Sequence, residues 1–231
     1  MVPLSFAGRE WRLGAGRFLY WPDERALLVA DLHLEKASFF ARHNQFLPPY
    51  DSRETLERVA LALRETGARR VFCLGDNFHD SHGAARMEPH AAGMLDALTR
   101  ATDWVWITGN HDPALAEAHV GGTLAAELAV SGIVLRHQAR AGETRPEISG
   151  HFHPRLAVSL RGRRVVRPCL VASEDAGGGA GRMILPAFGA LTGGMNAADP
   201  AIVAALQPAS AIDACVAASN RLVRLPLWRA A

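Results

Sequence analysis

Ile107, Thr108, Gly109, Asn110, His111, Asp112 and Pro113 stand in a row where an apolar strand, Trp104 to Ile107, runs into a turn. A glycine at 109 lets the chain bend sharply with no Cβ in the way. Asn110, His111 and Asp112 are then presented together at the carboxyl edge of a sheet, where α/β folds gather their chemistry. Taken alone, the stretch is equally well a polar connection in which Asp112 caps the next helix and Pro113 takes its first position. Its neighbours in the chain decide between these readings.

Four further segments bring metal-ligand residue types to the end of an apolar run. Ala26 to Ala30 is continuously apolar, as a strand buried on both faces should be, and leads into Asp31, Leu32 and His33. Two residues apart on an extended chain point to one side, so the Asp31 carboxylate and the His33 imidazole can reach one cation together. Arg70 to Leu74 leads into Gly75, Asp76, Asn77, Phe78, His79 and Asp80; Ile133 to Arg136 leads into His137; Ile148 and Ser149 lead into Gly150, His151, Phe152 and His153. Each is weak alone, and capping or surface polarity explains any one of them.

Between these strands the spacing predicts helices. Asp51 and Glu54 form a capping box, and Leu56, Val59, Ala60 and Leu63 recur at helical intervals up to Gly67. A second helix lies within Ala84 to Ala101, starting near Pro89. The resulting β-α-β-α-β run calls for an open, mostly parallel sheet. Upstream, Trp11 to Leu13 and Phe18 to Trp21 flank Gly14 to Gly16 as two short strands. Glu35 to Tyr50, carrying Lys36, Arg42 and His43, reads as a long loop of the kind that lines sites. Downstream come a short helix near Ala114 to Ala118, then short strands at Leu156 to Leu160, Val165 to Val171 and Met183 to Leu185, in a second, largely antiparallel sheet packed on the first. Glu174 to Gly181 is a glycine-rich loop, Pro200 to Leu206 and Ile212 to Ala218 read as short helices, and Leu222 to Leu225 as a last strand.

The totals narrow the function classes. With 231 residues, of which 49% are hydrophobic, the chain can bury a real core, and one domain over residues 1–231 is expected. A formal charge of +2 gives no overall pull toward nucleic acid or membrane, and Lys36 is the sole lysine. Cys73, Cys169 and Cys215 make no Cys-x-x-Cys pair, which argues against a disulfide framework or zinc knuckle and fits a reducing compartment. No run reaches the ~18 apolar residues of a membrane span, so a cytoplasmic location is expected. Arg161, Arg163, Arg164 and Arg167 cluster around a predicted turn, either a solvated turn or a grip on a phosphate backbone.

Asp31, His33, Asp76, Asn110, His137, His151 and His153 are too many ligands for one ion. They suit two ions sharing one carboxylate, and their mixed imidazole, carboxylate and amide donors favour manganese, iron or zinc over magnesium. Asp-x-His, Gly-Asp, Gly-Asn-His-Asp, an isolated histidine and Gly-His-x-His, in this order over about residues 26 to 155, resemble the motifs of the calcineurin-like metallophosphoesterase superfamily. The resemblance implies an α/β fold, a four-layer αββα sandwich of two packed mixed sheets flanked by helices. It implies that Asp31, His33 and His153 hold one ion, that Asn110, His137 and His151 hold the other, and that Asp76 bridges them. Such a pair of cations can turn a bridging water into hydroxide and neutralise phosphoryl oxygens. His111 is then free to protonate the leaving oxygen, with Asp112 orienting its ring. The sequence departs from the pattern at Gln138, where many members have glycine after the histidine; His119 competes with His137 for that position.

A finer resemblance covers nearly the whole chain. Leu32 to Lys36, Leu47 to Asp51 and Leu185 to Gly194 are similar to the bacterial DNA ligase-associated metallophosphoesterases. This implies a manganese-dependent phosphodiesterase or nuclease linked to DNA repair, with DNA as a candidate substrate, and a functional association with a DNA ligase and a helicase. Gly75 to His79 is also similar to the corresponding motif of the nuclease subunit of double-strand-break repair complexes, which makes His79 either a contact to the substrate phosphate or a histidine supporting a ligand. Lys36 and Arg42 are the candidate substrate contacts. A small-molecule phosphatase, nucleotidase or cyclic-nucleotide phosphodiesterase is the alternative, and a non-catalytic scaffold a remote one. Oligomeric state stays open.

Overall fold

The computed structural model describes residues 1–112, 120–174, 181–218 and 220–230. Its first sheet crosses seven strands in chain order: β1 (Val2–Phe6), β2 (Arg9–Leu13), β3 (Leu19–Trp21), β4 (Ala26–Val29), β5 (Arg70–Leu74), β6 (Asp103–Ile107) and β7 (Thr123–Ala125). The first three pairings are antiparallel and the last three parallel. Of the parallel strands, β4, β5 and β6 are apolar and buried on both faces apart from Arg70 and Asp103 at their starts, while β7 at the edge is largely exposed. Leu28, Phe72, Leu74, Val105 and Ile107 face the second sheet. Leu27, Val29, Val71, Cys73, Trp104 and Trp106 alternate with them and pack beneath the helices.

Those helices are α1 (Lys36–Arg42), α2 (Asp51–Thr66), α3 (Gly83–Arg86) and α4 (Pro89–Ala101). Leu56 and Val59 of α2 and Ala91 and Leu95 of α4 fill the layer. Pro89 opens α4, and the Glu88 carboxylate accepts from the His90 and Ala91 amides.

The later strands are β8 (Glu127–Val130), β9 (Ile133–Arg136), β10 (Glu147–Ser149), β11 (Arg155–Leu160), β12 (Arg163–Pro168), β13 (Leu170–Glu174), β14 (Arg182–Ile184), β15 (Ala211–Ala218) and β16 (Arg221–Arg229), with helix α5 (Pro200–Ala205) between β14 and β15. The second sheet runs β16-β15-β13-β14-β10-β9-β8. Its pairs are antiparallel except those that β10 makes with β9 and β14. Ile202 and Leu206 cover its outer face against Val171, Ile184 and Ile212, which completes the expected α/β sandwich. β11 and β12 join neither sheet and form a ribbon of their own.

Several local expectations are corrected. The helix expected over Ile212 to Ala218 is strand β15. Its alanines favour helix locally, but β13 and β16 on either side take up its backbone hydrogen bonds. The loop Glu35 to Tyr50 contains α1, whose Ala37 amide donates to the Asp51 carboxylate at 3.1 Å. That contact also removes Asp51 from the expected capping box, so α2 begins at Asp51 with Tyr50 as its cap residue. Val165 to Val171 is two strands, because Pro168 has no amide to donate and the Cys169 amide turns to the Pro154 carbonyl. Leu156 to Leu160 belongs to the ribbon rather than the second sheet. The helix near Ala114 to Ala118, His119 and residues 175–180 of the glycine-rich loop lie outside the described residues.

Candidate metal centre

All five motifs meet at one edge of the sandwich. Asp31 and His33 follow β4, Asp76 follows β5, Asn110 to Asp112 follow β6, His137 follows β9, and His151 and His153 follow β10. The chain between β14 and α5 closes the same edge: the Phe188 amide donates to the Ala30 carbonyl at 2.8 Å, and the Ala190 amide to Thr55 Oγ1 at 3.1 Å. Asp31, His33, Asp76, His151 and His153 all hold positive φ, between 44° and 73°. An L residue there costs roughly 1–2 kcal/mol, and the strain turns these side chains toward a common point. Gly109 is required by close approach: a Cβ there would lie 2.3 Å from the Asp76 amide nitrogen. Gly75, at φ 77°, leaves room for His137, whose Nδ1 would be 2.1 Å from a Cβ. Gln138 is exposed and not at positive φ, so the backbone makes no demand for glycine after His137.

The side chains fall into two overlapping groups. Asp31, His33, Asp76 and His153 form one and Asp76, His137 and His151 the other, each with ligand atoms within 4.8 Å of one another. In the first, His33 Nε2 is 3.3 Å from His153 Nε2 and 3.8 Å from Asp76 Oδ2, and His153 Nε2 is 3.6 Å from Asp31 Oδ1. In the second, His137 Nε2 is 3.0 Å from His151 Nδ1 and 3.5 Å from Asp76 Oδ1. The Asn110 amide nitrogen lies 3.5 Å from His151 Nδ1, which places Asn110 beside the second group.

The ring nitrogens are prepared as lone-pair donors. The His137 Nδ1 proton goes to the Leu74 carbonyl at 3.2 Å, leaving Nε2 bare. His33 and His79 meet through their Nδ1 atoms at 3.5 Å; a His33 proton on Nδ1 satisfies that contact and leaves its Nε2 bare. Burial, with smaller contributions from His153 and Lys36, pushes the His33 pKa down to about 2, and burial with His137 lowers that of His151. Bare nitrogens 3.0–3.3 Å apart beside buried carboxylates repel one another unless a cation or proton lies among them, so the donor set fits divalent metal ions.

The other expected residues separate. The His111 amide donates to Asp76 Oδ1 at 3.1 Å, and its exposed ring stacks on His79 at 5.6 Å and 12°. Burial and then Lys36 lower His79 to about 4. Asp112 does not orient the His111 ring: its carboxylate accepts from the amides of Asn77, Phe78 and Gly109 at 2.9–3.1 Å and from the Asn77 side chain at 2.8 Å. A buried carboxylate facing so many amides is committed to holding two ligand loops together. Lys36 opens α1, half-buried near His33 and His79. Arg42 is exposed in the last turn of α1, and among the described residues no contact joins it to the ligands. Asn77, fully buried and bonded to the Ile107 carbonyl as well as to Asp112, was not foreseen; in sequence it is only a polar residue after a strand.

The sequence profile described as calcineurin-like phosphoesterase matches residues 24–154. Among solved structures, the chain is similar to the Pseudomonas putida nuclease MPE, with 29% identity, a TM-score of 0.70, and coverage of 96% of this chain and 98% of that one. It is also similar to YfcE, a phosphoesterase from E. coli, at 14% identity and a TM-score of 0.45, over 87% of this chain and 98% of that one. No curated protein sequence matches it.

Proposed function

Because the chain belongs to the calcineurin-like phosphoesterase family, and is thus a metal-dependent phosphoesterase, we propose that it is a two-metal phosphodiesterase, with manganese as its metal and a nucleic-acid strand as its substrate. The observation that carries the two-metal reading is that Asp76 is common to both ligand groups. Similarity to a nuclease over nearly the full length supports the substrate class. When bound, the cations would supply Lewis acidity, activating water and offsetting charge on the phosphoryl oxygens.

The chain's own residues account for the rest. Asp31, His33, Asp76 and His153 would hold one cation, and Asp76, Asn110, His137 and His151 the other. His111, anchored through its amide to Asp76, places an exposed ring at the rim. There it gives a proton to the leaving oxygen as the bond from phosphorus to that oxygen breaks and the bond to the water oxygen forms. His79, with Nδ1 turned to His33, keeps its proton on Nε2, free to donate to a non-bridging phosphate oxygen. Lys36 adds a single positive charge beside these rings. A monoester carries one more negative charge than a diester, and one half-buried lysine is a meagre counterpart for it.

The test is side-by-side turnover, with manganese, of a nitrophenyl monoester, a bis-nitrophenyl diester, a cyclic nucleotide and a DNA oligonucleotide. Diesters are expected to outrun the monoester by at least ~10-fold. A preference for the monoester would replace this reading with a small-molecule phosphatase.

A further inference from the structure

The β11–β12 ribbon pairs six residues of each strand, Arg155 with Pro168 through Leu160 with Arg163, around a turn at Arg161 and Gly162. Its base lies two residues beyond His153 and is closed by the bond from the Cys169 amide to the Pro154 carbonyl; the Arg155 amide bonds the Met195 carbonyl. Val158 opposite Val165 supplies the β-branched pair that keeps such a ribbon extended. No acidic residue occurs between Glu147 and Glu174, while Arg155, Arg161, Arg163, Arg164 and Arg167 fall within the ribbon and its turn. The last four are exposed, and among the described residues none of them forms an ion pair; Arg167 reaches only the neighbouring Val166 carbonyl. In a chain whose formal charge is only +2, this concentration is local and starts beside the metal ligands. At the base, Arg155 buries its Nε without a hydrogen-bond partner.

We propose that the ribbon is an arm that grips the phosphate backbone of a nucleic-acid strand whose scissile phosphate lies at the metal centre. This rests on the phosphodiesterase reading and adds to it the element that would favour a polymer over a small diester. Six residues at ~3.3 Å each make an arm of about 20 Å, along which one strand of a duplex presents about six phosphates. Guanidinium groups suit this partner because their forked donors match phosphate oxygens.

The experiment uses the full chain and a variant carrying Arg161→Gln, Arg163→Gln, Arg164→Gln and Arg167→Gln. Binding of a fluorescent 20-base-pair duplex is followed by anisotropy in chelator, over a series of salt concentrations, and turnover of a bis-nitrophenyl diester is measured with manganese. The variant should bind at least ~10-fold more weakly, with the slope of log affinity against log salt reduced by about 3 to 4, and should turn over the small diester at the wild-type rate. The four lysine replacements should keep most of the affinity, which separates lost charge from a disrupted ribbon. Unchanged affinity and salt slope, an equal loss on the small diester, or arm-dependent binding to phosphatidylserine vesicles with none to the duplex would each overturn the arm. If the wild type binds the duplex through the arm yet hydrolyses no diester, the arm stands and the phosphodiesterase reading falls; diester turnover with arm-independent binding gives the reverse.

Discussion

At the scale of single residues, His111 and Asp112 are neighbours with different work. The His111 ring is exposed and, among the described residues, its ring contacts are with other histidines, stacked on His79 and edge-on to His33, so its removal leaves the ligand loops in place. His111→Ala should therefore retain metal content and melting temperature while turnover falls by ~10² to 10⁴-fold, the usual range for a lost general acid. The loss should be smaller for a nitrophenyl diester, whose leaving oxygen needs no proton, than for an oligonucleotide. Asp112→Ala should behave otherwise, because it strands the buried amides of Asn77 and Phe78. Each orphaned donor costs ~1–3 kcal/mol, so melting temperature and metal content should fall together, whatever the leaving group. Equal losses for both leaving groups in His111→Ala, or an unchanged melting temperature in Asp112→Ala, would reverse these assignments.

At the scale of elements, β9 and β10 must arrive in register for His137 and His151 to meet, and a charge cluster centred on the buried Arg136 and Glu147 ties them. Arg136, the last residue of β9, lies 3.0 Å from the Glu147 carboxylate at the start of β10, 2.8 Å from Glu143 and 3.2 Å from Glu127. Glu147 is fully buried, and burial raises its pKa. Its contact with Arg136 Nη1 is close but not angled as a hydrogen bond, so the tie there is charge attraction. Arg136→Met removes the cation and leaves the buried Glu147 carboxylate uncompensated, while Glu143 keeps Arg145; a buried charge stripped of its partner typically costs ~3–5 kcal/mol. Chemical denaturation should show a loss of that order, with weaker manganese binding at the His137 and His151 group; adding Glu147→Gln should restore part of it. No change in either measurement would mean the cluster does not hold the register. The cluster also marks where the sequence stops being legible. Strands β4, β5 and β6 could be read because burial on both faces writes a continuous apolar run, and the ligands because each follows such a run. Arg136 and Glu147 look like ordinary surface charges until the strands are paired. Likewise the alanines of β15 carry a helix preference that only its two neighbouring strands overrule.

At the scale of the whole molecule, the crowded imidazoles make stability depend on pH. His33 and His79 are held neutral in the fold, at about 2 and about 4, against about 6.5 for a free histidine. Between those values and 6.5 the unfolded chain binds protons that the native chain refuses, so stability falls as pH drops below about 6.5. Each refused proton contributes a slope of up to about 1.4 kcal/mol per pH unit, present in full only where the unfolded histidine is protonated and the native one is not. Carboxylates such as Glu143, held below the usual range first by Arg145, act in the same direction only at lower pH, whereas Glu147 and Asp112, raised by burial, take up protons in the fold and oppose the decline. Chelator-treated protein unfolded in urea at half-unit steps should show a free energy flat above pH 7 and declining from about 6.5 toward 5. His33→Gln, which removes the more buried of the two groups, should shallow the decline even if it lowers stability at pH 7.5. An unaltered slope in that variant would show that the ligand histidines are not held bare, and would take with it the argument that the donor set awaits cations.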